Sequence, residues 1–146
     1  MSIRTAPAAD RDMSAAETVK LETSQEITVR RILVVDDDEM IRDLFGRVLA
    51  NARYEVRVAS NGKQAMVIAG QQHPDLVITD LVMPEQEGIE TIRELRRTYP
   101  DTKIIAISGA FNGNLLGAAK FLGAQAALLK PVSPTELLGA VQQVLA

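Results

Sequence analysis

The 146-residue chain contains no cysteine and no tryptophan, and aromatic side chains amount to only 3% of it. Without cysteine there are no disulfides and no thiolate metal sites, which fits a reducing compartment and a cytoplasmic location. With so few rings, a core has to be assembled from Ile, Leu, Val and Ala, as in a buried parallel sheet flanked by helices. Long apolar runs are missing too. No stretch approaches the roughly 20 apolar residues that span a bilayer. The segment Met1–Ser24, broken by Arg4, Asp10, Arg11, Asp12, Glu17, Lys20 and Glu22, lacks the apolar run of a signal peptide. No membrane partner is expected. Nor is there a large excess of one charge: the formal net charge of −3 offers no broad cationic field, so direct nucleic-acid binding has little support. What is present is 47% apolar and 24% charged residues, the composition of one globular domain with a core of ordinary size.

Residues 1–29 read differently from the rest. They are rich in Ala, Thr, Ser and mixed charge, show no sustained periodicity, and are expected to form a disordered N-terminal tail. A short helix over Ala15–Leu21, docked through Val19 and Leu21, is the alternative. Residues 30–146 form the expected domain. There, compact β-branched runs predict strands at Arg31–Val35, Glu55–Val58, Leu76–Thr79, Lys103–Ile107 and Ala126–Leu129. Helical patterns fall between and after them, at about 39–51, 61–70, 87–98, 112–122 and 134–145. The first helix shows Met40, Ile41, Leu44, Phe45, Val48 and Leu49 on one face. The last opens with Ser133-Pro134-Thr135-Glu136, a capping box with proline at the first helical position. Asn61-Gly62 opens the second helix, and His73-Pro74 punctuates the approach to the third strand. Five strands alternating with five helices imply right-handed crossovers and an α/β fold, a doubly wound (βα)5 parallel sheet. At this size the flavodoxin-like strand order 2-1-3-4-5 is expected.

The polar residues at the strand ends are the informative ones. Asp36, Asp37 and Asp38 follow the first strand, Asp80 the third, Ser108 the fourth and Lys130 the fifth. In a parallel sheet all carboxyl ends lie along one edge, and ligands bind there where the strand order reverses, here between the first and third strands. Crowded carboxylates repel one another and take up protons unless a cation sits among them. An all-oxygen set of this kind suits Mg2+. A carboxylate can also attack phosphorus to give an aspartyl phosphate. A metal, a lysine and a hydroxyl would then neutralise the oxygens of the transferring group. Each residue also has an ordinary reading. The three aspartates can simply cap a helix, Asp80 can precede a turn at Met83-Pro84, and Ser108 and Lys130 can be surface loop residues. His73, the only histidine, sits in a helix-to-strand turn and is expected to have no chemical role. It is the combination of four strand ends that favours a site.

Arg31-Ile-Leu-Val-Val-Asp-Asp-Asp-Glu39, Pro74-Asp-Leu-Val-Ile-Thr-Asp-Leu-Val-Met-Pro84, Ile104-Ile-Ala-Ile-Ser108 and Leu129-Lys-Pro131 together resemble the response-regulator receiver family of two-component signalling. The resemblance covers residues 30–146. It implies that Asp80 accepts a phosphoryl group from a sensor histidine kinase or a histidine phosphotransfer protein in a Mg2+-dependent reaction. Asp37 would then ligate the metal directly and Asp36 through water, with Asp80 and the main-chain carbonyl of Val82 completing the protein ligands, while Asp38 caps the helix. Ser108 and Lys130 would each meet a phosphoryl oxygen, and Lys130-Pro131 would be a cis peptide. The chain would be a stand-alone receiver, a self-modifying acceptor with slow autodephosphorylation rather than an enzyme, signalling by protein contact or phosphorelay. Three features depart from the family. Ala127 stands where Tyr or Phe is frequent, Val82 and Ala110 are apolar where polar side chains are frequent, and no effector segment is expected after the last helix. Without the ring, the loop from Ser108 to Gly113, with Phe111 its large apolar side chain, is the expected carrier of any conformational change. The competing class is a Mg2+-dependent phosphohydrolase or phosphotransferase on a similar sheet. Such enzymes resembling the haloacid dehalogenases want D-x-D at the nucleophile, whereas this strand runs on as Asp80-Leu81-Val82. A flavodoxin-like cofactor binder would need a Ser-, Thr- or Gly-rich phosphate loop after the first strand, where three acids stand instead.

Overall fold

The computed structural model describes residues 28–83, 87–109 and 113–146. Residues 1–27 of the expected tail, its alternative helix, Ala110 and Phe111 lie outside the described residues. Five strands, β1 (Arg31–Val35), β2 (Glu55–Ala59), β3 (Leu76–Asp80), β4 (Lys103–Ser108) and β5 (Ala126–Leu129), alternate with five helices. These are α1 (Glu39–Asn51), α2 (Gly62–Gln71), α3 (Glu87–Thr98), α4 (Gly113–Phe121) and α5 (Pro134–Leu145). All four strand pairings are parallel and the order is β2-β1-β3-β4-β5, the order the sequence predicts.

Side chains alternate across a strand, so each strand feeds two cores. Leu33, Val35, Val77, Ile104 and Ala106 face one layer, where they meet Ala65 and Ile68 of α2, Ile92 and Leu95 of α3, and Ala119 of α4. Ile32, Val34, Leu76, Ile78, Ile105 and Ile107 face the other, against Phe45 and Leu49 of α1 and Leu137 and Val141 of α5. β3 lies in the middle with both faces covered, and all five of its residues are buried. That explains why it opens Leu76-Val77-Ile78 without the alternation of a half-buried strand. At the sheet edges, β2 and β5 are partly exposed.

Local chemistry sets the helix starts. Asp38 accepts from the Met40 amide at 2.9 Å to cap α1, and Asn61 accepts from the Gln64 amide at 2.8 Å to cap α2. At α5 the capping box is closed in both directions: Ser133 Oγ accepts from the Glu136 amide at 3.1 Å, and Glu136 accepts from the Ser133 amide at 3.1 Å. Satisfying these orphan amides is what lets α5 begin directly after the β5 edge.

Two expectations need correction. The apolar face of α1 is narrower than the sequence suggests: Met40 is 79% exposed and Leu44 is also exposed, while Phe45 and Leu49 are buried. Positions 40 and 44 fall on the flank of the helical stripe, beyond the reach of the sheet. Asp80 and Ser108 are not loop residues following strands but the last residues of β3 and β4, where they pair with Ile107 and Leu129. A polar side chain ends an apolar run in the text, but the backbone ladder continues through it.

Leu137 is fully buried between α5 and the sheet. Leu137→Ala is expected to lower unfolding free energy by about 2–5 kcal/mol, as buried leucine truncations do. Urea denaturation followed by far-ultraviolet circular dichroism measures it.

Candidate functional site

The carboxyl ends of β1, β3, β4 and β5 bring Asp36, Asp80, Ser108 and Lys130 together. Asp36 is 2% exposed and Asp80 4%, both at the sheet's central crevice, while Asp37 is exposed beside them. One carboxylate oxygen from each of the three lies within 4.8 Å of the other two. Lys130 Nζ donates to Asp36 Oδ2 at 3.2 Å and to Asp80 Oδ2 at 3.1 Å, so one ammonium bridges two buried anions. The lysine's backbone is held as well: its amide donates to the Ser108 carbonyl at 2.6 Å, and the Lys130-Pro131 bond is cis.

The second oxygens are engaged differently. Asp36 Oδ1 accepts from the Asp38 amide at 2.9 Å, so both oxygens of Asp36 are occupied by protein donors. Asp80 Oδ1 accepts from the Val82 amide at 3.0 Å, which folds the β3–α3 connection back over the carboxylate. Ser108 is 0% exposed and its hydroxyl has no hydrogen-bond partner among the described residues. An unpaired buried hydroxyl carries a desolvation cost of about 1–3 kcal/mol. A buried polar group left unsatisfied in this way calls for an explanation.

Charge and burial compete here. Burial raises the Asp36 carboxyl above its ordinary 3.8 and the nearby Asp80 adds to the rise, against the opposing pull of the Asp38 amide and Lys130. Burial alone would lower the Lys130 ammonium, but Asp36 and Asp80 outweigh it and hold the lysine above its ordinary 10.5. Lys130 is therefore charged at neutral pH.

Two contributors are not marked in the sequence. Arg42, in the first turns of α1, donates from Nη1 to the Asp36 main-chain carbonyl at 2.7 Å. Gly88, in the first turn of α3, lies so close to the backbone beneath the site that a Cβ there would collide with the Asp80 carbonyl and stand 2.6 Å from Leu81 Cα. His73, away from this edge, meets Thr102 Oγ1 through Nε2 at 2.9 Å and packs on Tyr99. Because the Thr102 hydroxyl donates to the Pro74 carbonyl, Nε2 of His73 is the donor, which suits a structural role.

A doubly wound sheet with an acidic crevice, a lysine and a buried hydroxyl at its carboxyl edge gathers its charged groups where folds of this class bind ligands. A family model for the response regulator receiver domain matches residues 32–142. The chain belongs to that family. Over 116 residues it is 33% identical to the chemotaxis protein CheY of Thermotoga maritima, covering 79% of this chain and 97% of that protein. Over 115 residues it is 35% identical to the response regulator MprA of Mycolicibacterium vanbaalenii, again covering 79% of this chain but only 50% of MprA. The chain thus spans half the length of that relative. Among solved structures, the chemotaxis protein CheY4 of Vibrio cholerae superposes with a TM-score of 0.75 at 31% identity, covering 80% of this chain and 99% of CheY4. No described helix is long and apolar enough to cross a membrane.

Two variants probe the construction of the site. Since Asp36 titrates above 3.8 in the folded domain, its charged form is a burden at neutral pH. Asp36→Asn is expected to raise the melting temperature of the metal-free domain at pH 7. The gain should shrink as pH falls through the folded-state titration of Asp36, where the native carboxyl is neutral too. Thermal melts from pH 7 down to pH 4 measure it. Gly88→Ala is expected to cost on the order of 1–3 kcal/mol, because the methyl group meets backbone rather than a yielding side chain. Urea unfolding checks the value, and an unperturbed melt would show that α3 can shift freely.

Proposed function

We propose that this domain accepts a phosphoryl group on Asp80 from a phosphohistidine, on a sensor histidine kinase or a histidine phosphotransfer protein, and signals through protein contact or onward relay. The observation that carries the reading is the fully buried Ser108 hydroxyl, without a partner among the described residues, one strand over from a buried carboxylate that already holds the Lys130 ammonium. In the transfer, an oxygen of Asp80 attacks phosphorus, the bond to the imidazole nitrogen breaks, and the electron pair stays on the imidazole. Lys130 Nζ, now on Asp80 Oδ2, follows the negative charge to a phosphoryl oxygen. Ser108 donates its hydroxyl proton to a second oxygen and so gains the partner it lacks. Burial of Asp80 excludes water from most approaches, which favours transfer over hydrolysis.

The residues also fit Mg2+. Three carboxylates balanced by one ammonium leave two negative charges at the crevice, the deficit a divalent cation fills. Asp37, exposed, would be the direct ligand, together with Asp80 and the Val82 carbonyl. Asp36 acts through water, in keeping with two oxygens already committed to Asp38 and Lys130. Bound Mg2+ supplies positive charge to the phosphoryl oxygens. The domain is an acceptor with slow self-dephosphorylation rather than a turnover enzyme. It works in the cytoplasm, a reading supported by the absence of cysteine, and without direct contact to nucleic acid or membrane.

Incubation with acetyl phosphate and Mg2+ is expected to add one acid-stable, base-labile phosphoryl group, read by intact mass. Asp80→Asn should abolish the addition and omission of Mg2+ should suppress it. Undiminished labelling of the Asp80→Asn variant would refute the assignment. Catalytic turnover of a small phosphate ester would instead favour a hydrolase.

A further inference from the structure

We propose that Arg42 is a positioning residue for the metal-holding acids, acting on their backbone rather than on their charge. Its guanidinium donates from Nη1 to the carbonyl of Asp36 at 2.7 Å, and its own amide donates to the carbonyl of Asp38 at 3.0 Å. One residue thus holds the carbonyls on both sides of Asp37. The amides complete the frame: Asp36 N donates to the Ala59 carbonyl at 3.1 Å, and Asp38 N to Asp36 Oδ1 at 2.9 Å. Asp37 is carried between these fixed points with its side chain exposed.

The choice of acceptor is the telling detail. Arg42 stands four residues after Asp38 in the most acidic stretch of the chain, Asp36 to Glu39. Yet among the described residues its guanidinium pairs with no carboxylate and takes a main-chain carbonyl instead. Arg42 therefore neutralises none of these acids, and the exposed Asp37 carboxylate keeps its charge beside the crevice. A cation near the start of a helix is also disfavoured by the helix dipole, so the folded-back arginine is not a default placement. Asp36 is almost wholly buried. Without Arg42 its carbonyl would lack this partner in a place poorly reached by water, and the segment would shift to recover a bond, moving Asp37 with it.

This inference rests on Asp36 and Asp37 holding the metal, and it predicts an effect of opposite sign to simple electrostatics. A positive charge beside a cation site weakens binding, so a purely electrostatic Arg42 would, on removal, tighten Mg2+. A positioning Arg42 would, on removal, loosen it. Isothermal titration calorimetry with MgCl2 at fixed ionic strength, on the natural chain, Arg42→Met and Arg42→Lys, distinguishes the two. Arg42→Met is expected to weaken Mg2+ about 10-fold, the usual scale for removing a group that supports a metal ligand. Arg42→Lys should recover most of that loss through a single donor. Metal-free amide exchange should quicken at Asp36 and Asp38 in the Met variant, while amides of β3 stay as slow as before. Mg2+ binding by Arg42→Met as tight as or tighter than that of the natural chain overturns the proposal, as does an Arg42→Lys variant no better than Met. Should the Met variant fail to fold, Arg42→Gln takes its place with the same expected sign. If the natural chain itself binds no Mg2+, the metal reading fails, and exchange at Asp36 and Asp38 alone judges the clamp: quickened exchange sustains it and unchanged exchange overturns it.

Discussion

Two buried carboxylates, Asp36 and Asp80, share one lysine, and the arrangement of the carboxyl edge follows from that shared ammonium. Like charges this close repel by several kcal/mol: at 4 Å and an effective dielectric of 20, a pair of unit charges interacts by about 4 kcal/mol. A cation in contact with both contributes two attractions against that one repulsion, so the site can stay closed with no metal bound. The balance is incomplete. Asp37 adds a third negative charge with no cationic side chain on it among the described residues, and burial still pushes the Asp36 carboxyl upward. The crevice is stable enough to fold and charged enough to want a ligand.

Supporting that pair takes most of the fold. Lys130 comes from a position 94 residues after Asp36 and 50 after Asp80, and the parallel order β2-β1-β3-β4-β5 brings the three strand ends to one crevice. The central strand, closed on both faces, keeps the Asp80 backbone from yielding. The close approach of Gly88 seats α3 against the same backbone, and the Val82 amide closes the turn over the carboxylate. The parts with room to respond lie toward the half-exposed edge at β5.

Much of this was legible in the sequence, and the exceptions have physical causes. The capping box at Ser133 and the cap at Asp38 involve neighbours a few residues apart, so their chemistry is written locally. The convergence of Asp36, Asp80, Ser108 and Lys130 was legible because parallel topology sends every strand's carboxyl end to the same edge. Arg42 was not, since an arginine on an amphipathic helix looks like any solvated charge until its acceptor is known. Gly88 was not, since close approach between two elements leaves no mark on either. The width of the α1 stripe was overestimated because Met40 and Leu44 are apolar whether or not anything covers them.

The two-layer core carries a further consequence. Successive strand residues alternate between layers, and Ile32 and Val34, Leu76 and Ile78, and Ala126 and Leu128 all belong to the layer of α1 and α5. Asp36, Asp80 and Lys130 continue those three series with the same parity. Packing and chemistry therefore share a single odd–even frame on each of these strands. A one-residue insertion in β3 would not merely displace Asp80. It would exchange the residues assigned to the two layers and turn the Asp80 carboxylate to the opposite face of the sheet. The strand can change its residues, but it cannot change its count by one.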